Sequence, residues 1–337
     1  MVCGSSHISR KGFILIRVKA PFRISFFGGG TDFYDYYKDY GGAVISTTIN
    51  KYCYVTLRDL PPFYDYKNQF TYSKIERFNE PDEVEHPLVR NALKMLPHDH
   101  IQIAYDADLP ACSGLGTSSA FSVALLQGLH AMRGEYPGKA HLAREAVKLE
   151  RELCAEAGGV QDQYATAFGG FNTISFSKDG VNVKPLLAEK ACLHSLEENL
   201  LMIFTGFTRL SAKISAENKN NISHNIKTLD LMKQMVSEGE RLLAGGNLDD
   251  FGRLLGESWK MKRTLACGIS NPFINEIYAK ALKNGALGGK ILGSGGGGFL
   301  LLYAPKNTHI AICNALSACQ FIPFHFESRG AEIIYGD

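Results

Sequence analysis

The chain of 337 residues is longer than one hydrophobic core usually organises, so two domains are expected. Its 45% apolar and 21% charged residues exclude a disordered polypeptide. The balance of 36 basic against 34 acidic residues, net +2, excludes a nucleic-acid or anionic-membrane footprint and leaves a small molecule as the expected partner. Eight scattered cysteines without a Cys-x-x-Cys pair fit reduced thiols and a cytoplasmic setting, and no apolar run approaches the ~20 residues of a membrane helix.

In chain order, residues 1–10 read as an extension ahead of a first strand, because Arg17 and Lys19 interrupt Phe13-Ile14-Leu15-Ile16 too early for a signal-peptide core. From Phe13 to Leu57, β-branched and aromatic residues broken at Gly28-Gly29-Gly30 and Gly41-Gly42 predict strands joined by glycine turns. Residues 61–86 are charged, contain proline and are weakly periodic, which predicts a surface excursion before a helix. Ile101 to Tyr105 alternates as a strand and leads into Pro110-Ala111-Cys112-Ser113-Gly114-Leu115-Gly116-Thr117-Ser118-Ser119, a loop that opens a helix over Ser118 to Met132. A second helix, His141 to Glu156, sets Leu142, Ala146, Leu149 and Leu153 on one face and stops at Gly158-Gly159. A strand over Phe171 to Phe176 closes the first half.

Near residue 195 the pattern restarts. A strand at Leu200 to Phe204 precedes polar helices between Ser211 and Trp259 and a helix around Asn271 to Asn284. Strands at Leu300 to Tyr303 and Glu332 to Tyr335 flank a helix near Thr308 to Ser317. The expected domains are therefore 13–190 and 191–337, both α+β.

Three stretches invite chemistry. The loop Ser113 to Ser119 offers backbone amides and hydroxyls at a helix start, where unpaired N–H groups favour an anion. An ordinary helix cap would use the same residue types, but two glycines with three consecutive hydroxyl residues favour phosphate. The run Gly293-Ser294-Gly295-Gly296-Gly297-Gly298 spells G-x-G-x-x-G, yet the strand-like Phe299 to Tyr303 follows it where a dinucleotide fold needs a helix. Close approach of backbone to a ligand is the expected reason for so many glycines, against a flexible turn. Gly285 to Lys290 matches a P-loop only loosely, and Asp250-Phe251-Gly252 lies in a helical stretch without a His-Arg-Asp partner. Glu150, among Glu145, Lys148, Arg151 and Glu152, reads by itself as part of a solvated helix face, whereas Asp162 sits in the less charged stretch 158–170. Magnesium takes only one or two protein oxygens when it bridges phosphates, so Ser118 and one carboxylate would suffice.

In this order the motifs Ala20 to Asp32, Pro110 to Ala120 and Lys290 to Gly298 resemble those of the GHMP kinases, named for galactokinase, homoserine kinase, mevalonate kinase and phosphomevalonate kinase. The resemblance spans nearly the whole chain. It implies a two-domain α+β fold, with an N-terminal domain like ribosomal protein S5 domain 2 and a ferredoxin-like C-terminal domain, and an active site between them. It implies ATP and Mg2+, with the phosphates on Ser113, Gly114, Leu115, Gly116, Thr117, Ser118 and Ser119 and the metal on Ser118 and Glu150, which stands twelve residues before Asp162. Asp162 is then the general base, Arg23 stabilises the transferred charge, and Asp32 binds sugar hydroxyls beside Gly29, Gly30, Thr31, Gly295 and Gly296.

The chain departs from galactokinase at Gly29-Gly30, where that enzyme has Glu-His, so galactose is disfavoured and room is left for a bulkier sugar. The string Phe22 to Asp32 resembles the branch acting on D-glycero-D-manno-heptose 7-phosphate. Arg209, Lys213 and Lys262 are the cations expected for a substrate phosphate, with ordinary surface charge as the alternative at each. Another anomeric sugar kinase, acting on fucose for example, and a non-catalytic sugar and ATP sensor are the competing readings.

Overall fold

The computed structural model describes residues 13–206 and 211–336. Arg209 lies outside them. The first sheet has nine strands, and its main path runs Glu332–Gly336, Leu15–Phe27, Gly42–Asp59, Ile101–Ala107, Asn68–Thr71, Ile75–Phe78. Gly42–Asp59 is its hub, pairing antiparallel with Leu15–Phe27, Ile101–Ala107 and Phe171–Ser177. Alternation along these strands puts Val18, Phe22, Val55 and Leu57 into a fully buried core. The register between Leu15–Phe27 and Gly42–Asp59 shifts at Pro21/Phe22, where proline cannot donate to the ladder, and again at Ser25/Phe27. Arg23 sits between these two irregularities. Its side chain turns to the site below.

The helix Thr117–Met132 packs against this sheet. Gly128 allows its close approach, because a Cβ there would stand 2.2 Å from Leu57 Cδ1. The second sheet is antiparallel with four strands in the order Gln320–Phe321, Leu200–Phe204, Phe299–Tyr303, Gly288–Ile291. The helix Leu248–Lys262 packs on Gly288–Ile291 and Phe299–Tyr303 of this sheet, while Ile222–Ala244 packs on Gly42–Asp59 and Leu15–Phe27 of the first. Phe251 packs edge-on against Phe26 and Phe27 at 5.4 and 5.0 Å, and Gly252 makes way for the Tyr303 ring, so the triplet around them is core packing.

Four expectations need correction. The strands Phe326–Glu327 and Glu332–Gly336 return to the first sheet, pairing with Gly42–Asp59 and Leu15–Phe27, so a boundary at 190/191 leaves part of that sheet outside the first unit. Residues 61–86 contain the hairpin Asn68–Thr71/Ile75–Phe78, joined parallel to Ile101–Ala107. The single helix expected over His141 to Glu156 is the α-helix Lys139–Val147 followed by a π-helical turn, Lys148–Leu153. Widening the turn rotates the later side chains relative to a 3.6-residue period, so Glu150 is 1% exposed and Leu153 is 41% exposed.

The fourth concerns the glycine run, which approaches another backbone. A Cβ on Gly114 would lie 2.5 Å from Leu292 O, one on Gly293 2.4 Å from Gly114 Cα, and one on Gly298 2.2 Å from Ser113 O. The two glycine-rich loops, one from each half, interlock main chain against main chain. We therefore expect Gly298→Ala, at φ +82 and against a carbonyl, to lower unfolding stability well beyond the roughly 1 kcal/mol of a left-handed alanine. Gly134→Ala, at φ +74 with no atom within 4 Å, should cost about that 1 kcal/mol alone. Equal losses in urea melts would show that the seam does not constrain the fold.

Candidate active site

A cleft of about 600 Å³ opens between the two halves. Asp162, in the first turn of Gln161–Phe168, accepts two parallel hydrogen bonds from Arg23, Nε to Oδ1 and Nη2 to Oδ2, both 2.7 Å. Arg23 Nη1 donates to Gly114 O at 2.7 Å, and its backbone N donates to Leu115 O at 3.0 Å. A planar guanidinium thus ties the carboxylate to the loop. Gly116, in the left-handed region at φ 73, starts the helix Thr117–Met132, and no side chain caps that start. Gly116, Thr117 and Ser118 line the cleft at this uncapped start, a setting suited to phosphate.

The loop residues divide their roles. Gly114, Gly116, Thr117, Ser118 and Ser119 line the cleft, while Ser113 and Leu115 are buried and do not. Ser118 is exposed to the cleft, but the Ser119 hydroxyl turns inward and donates to Glu150 Oε2 at 3.0 Å. Glu150 Oε1 is buried without a hydrogen-bond partner, and burial raises the carboxyl to about 7 despite the neighbouring Arg151. A carboxylate so desolvated calls for a cation.

Asp32 lines the cleft, yet its oxygens are taken. Oδ1 accepts from Gly30 N at 2.9 Å, and Oδ2 from Gln161 N and Nε2 at 3.2 and 3.0 Å, so it holds the two loops together rather than presenting a free oxygen. Burial and the nearby Asp162 raise its pKa. Gly159 is required beside it, since a Cβ would meet Asp32 Oδ2 at 1.9 Å. Thr31 is buried, and its hydroxyl bonds Gly28 O and Ala43 O at 2.8 and 2.9 Å, a turn-holding role. Gly29 and Gly30 line the cleft. Gly295 and Gly296 do not, because they pack on Ile269, whose carbonyl accepts from Gly296 N at 2.8 Å.

Of the expected cations, Lys213 is exposed and outside the cleft lining. Lys262 lines the cleft, is buried, and donates to Ile291 O at 2.9 Å and to Gly293 O, pinning the second glycine loop. Burial and the Arg23 charge lower it to about 7. Lys290 enters the sequence reading only as the end of the loose P-loop match and the start of the third motif, without a role of its own. It donates from within the cleft to Phe26 O at 2.7 Å, and burial holds its pKa well below the usual lysine value. A lysine inside the apolar strand Gly288–Ile291 was the available signal. The hairpin and its surroundings supply a second group missed there. Phe70, Tyr72, His86, Tyr105 and Phe121 line one part of the cleft, Phe70 and Tyr72 stacked at 4.6 Å and His86 edge-on to both at 5.4 Å. His86 Nδ1 is buried without a partner.

A family model for the GHMP kinases N terminal domain matches residues 87–170, and one for the GHMP kinases C terminal domain matches residues 240–320. The chain is 30% identical over 317 residues to the D-glycero-α-D-manno-heptose 7-phosphate kinase of Campylobacter jejuni, covering 89% of this chain and 93% of that protein. It belongs to the GHMP kinase family. Among solved structures, a D-glycero-D-manno-heptose 1-phosphate kinase from Bacteroides thetaiotaomicron superposes on this GHMP kinase with a TM-score of 0.78 at 26% identity, over 95% of this chain and 99% of that one. The galactose complex of Lactococcus lactis galactokinase shares the fold, with a TM-score of 0.73 at 17% identity over 94% and 95% of the two chains.

The buried carboxyl has a measurable consequence. Glu150 is raised from 4.5 to about 7 on folding, so the folded kinase keeps a proton that the unfolded chain releases. Its contribution to stability is full below about pH 4.5 and is lost as pH rises through about 7. In metal-free buffer, Glu150→Gln should therefore gain on the parent in thermal melts between about pH 4.5 and 7, the gap staying constant above. Melting curves that run parallel across that window would remove this role from Glu150.

Proposed function

We propose that this GHMP kinase transfers the γ-phosphoryl group of ATP to the anomeric hydroxyl of a phosphorylated heptose. The observation that carries the reading is the Arg23–Asp162 pair beside the uncapped start of Thr117–Met132 in one cleft. Asp162 takes the proton of the acceptor hydroxyl. The freed oxygen bonds to the γ-phosphorus as the bridge from that phosphorus to the β-phosphate oxygen breaks, and ADP leaves. Arg23 holds Asp162 in line and supplies positive charge where the transferred group builds negative charge, the main need of phosphoryl transfer. An anomeric hydroxyl is more acidic than an ordinary alcohol, which suits a carboxylate base.

The first amides of Thr117–Met132 and the Ser118 hydroxyl suit the nucleotide phosphates. The aromatic enclosure of Phe70, Tyr72, His86, Tyr105 and Phe121 suits a stacked adenine, with His86 Nδ1 as an unused polar atom for the base edge. The orphaned Glu150 oxygen fits Mg2+, with the Ser118 hydroxyl as the other protein oxygen. When bound, the metal neutralises phosphate charge. At the sugar end, Ser25 Oγ, Gln161 Oε1 and Asn218 Oδ1 are buried, unpartnered and part of the cleft lining. Such atoms favour a polyhydroxylated substrate, because each gains a hydrogen bond when a hydroxyl arrives. The absent side chains at Gly29 and Gly30 leave space for a sugar longer than a hexose. The heptose phosphate follows from the likeness to the Campylobacter jejuni kinase.

ADP release measured with heptose 7-phosphate, mannose, fucose and galactose tests the substrate. The heptose phosphate should give the highest kcat/KM, and turnover on fucose without heptose phosphate turnover would overturn the choice. Asp162→Asn should lower kcat by roughly 10² to 10⁴ while ATP binding persists. An unchanged rate would remove Asp162 from the base role.

A further inference from the structure

Away from the cleft, the last turn of Thr117–Met132 and the helix Lys139–Val147 bring His130, His141 and Glu145 together. His141 and Glu145 are one helical turn apart on the same helix face, with His141 Nε2 3.4 Å from Glu145 Oε1. His130 Nε2 lies 2.7 Å from Glu145 Oε2, and the ligand atoms that the three residues offer all lie within 4.8 Å of one another. Behind this group, Glu135 Oε2 lies 2.8 Å from His130 Nδ1, and Arg133 Nε donates to Glu135 Oε1 at 3.1 Å.

We propose that His130, His141 and Glu145 form a binding site for a divalent transition cation, Zn2+ being the ion their chemistry fits. Two imidazoles and one carboxylate are a zinc donor set, and neighbouring donors around a tetrahedral zinc stand about 3.3 Å apart, given bonds of about 2.0–2.2 Å. The 3.4 Å between His141 and Glu145 already matches that spacing. Glu135 Oε2 is placed to accept a hydrogen bond from His130 Nδ1–H, which fixes the ring and leaves the Nε2 lone pair facing the other donors. His130 meets a carboxylate at each ring nitrogen, Glu135 at Nδ1 and Glu145 at Nε2, and an ion on Nε2 requires the 2.7 Å contact with Glu145 to open to about 3.3 Å. The exposed His141 leaves the fourth position to water. The ion clasps the end of the helix that begins at the phosphate-type loop to the helix running directly into the turn that carries Glu150.

The test uses full-length kinase stripped with chelator and titrated with ZnCl2 in the absence of nucleotide, read by calorimetry and thermal melting. One zinc per chain should bind and raise the melting temperature. His141→Ala and Glu145→Gln should each weaken binding at least tenfold, while Glu150→Gln, which alters the cleft carboxyl, keeps the zinc signal. Absence of zinc-dependent heat and melting shift in the parent overturns the proposal. So does a zinc signal that His141→Ala leaves intact, or one that Glu150→Gln abolishes, since the ion then sits on thiols or in the cleft.

Discussion

The fold turns on one steric constraint, the contact of the Ser113-Gly114 backbone with the backbone of Leu292, Gly293 and Gly298. Two loops nearly 180 residues apart touch main chain to main chain, and any side chain at the facing positions would force them apart. Buried polar contacts hold the same seam. Arg23 binds Gly114 O, Lys262 binds Ile291 O and Gly293 O, and Lys290 binds Phe26 O. Ammonium and guanidinium groups taken from water at this seam are matched to carbonyls and carboxylates, which offsets part of their desolvation cost.

Four basic and four acidic side chains meet around that seam. Arg23, Arg151, Lys262 and Lys290 face Asp32, Glu150, Glu156 and Asp162 across the cleft lining. The groups are not equivalent, since both oxygens of Asp32 accept from loop donors whereas Glu150 keeps one oxygen without a partner. The difference follows from backbone geometry. The π-helical turn Lys148–Leu153 swings Glu150 inward against Ser119, and Gly159 lets the following loop close on Asp32. A regular helix through the same residues would leave the cleft without its orphaned acceptor.

How much of the site was legible depends on how local each signal is. The phosphate-type loop and Arg23 were readable because each lies in a short, ordered motif, Asp162 because it stands twelve residues after Glu150, and the structure brings Arg23 and Asp162 within 2.7 Å. Asp32 and Thr31 were read as ligands for a sugar, yet the loops claim their polar atoms. Phe70, Tyr72 and His86 went unread, since a four-residue strand added parallel to a distant one leaves almost no periodicity. Lys290 was hidden for a related reason: its partner is a carbonyl 264 positions away.

By itself, then, the sequence determined the α+β character of the chain, the order of its main elements and the family motifs that name its chemistry, because these rest on composition, alternation and short contiguous patterns. Tertiary structure alone decided that the last strand completes the first sheet, that the second glycine run meets backbone, and that Glu150 is buried while Lys213 is not. Those outcomes depend on contacts between residues far apart in the chain. Their free energy is set by desolvation and close packing, which exist only once the halves have come together.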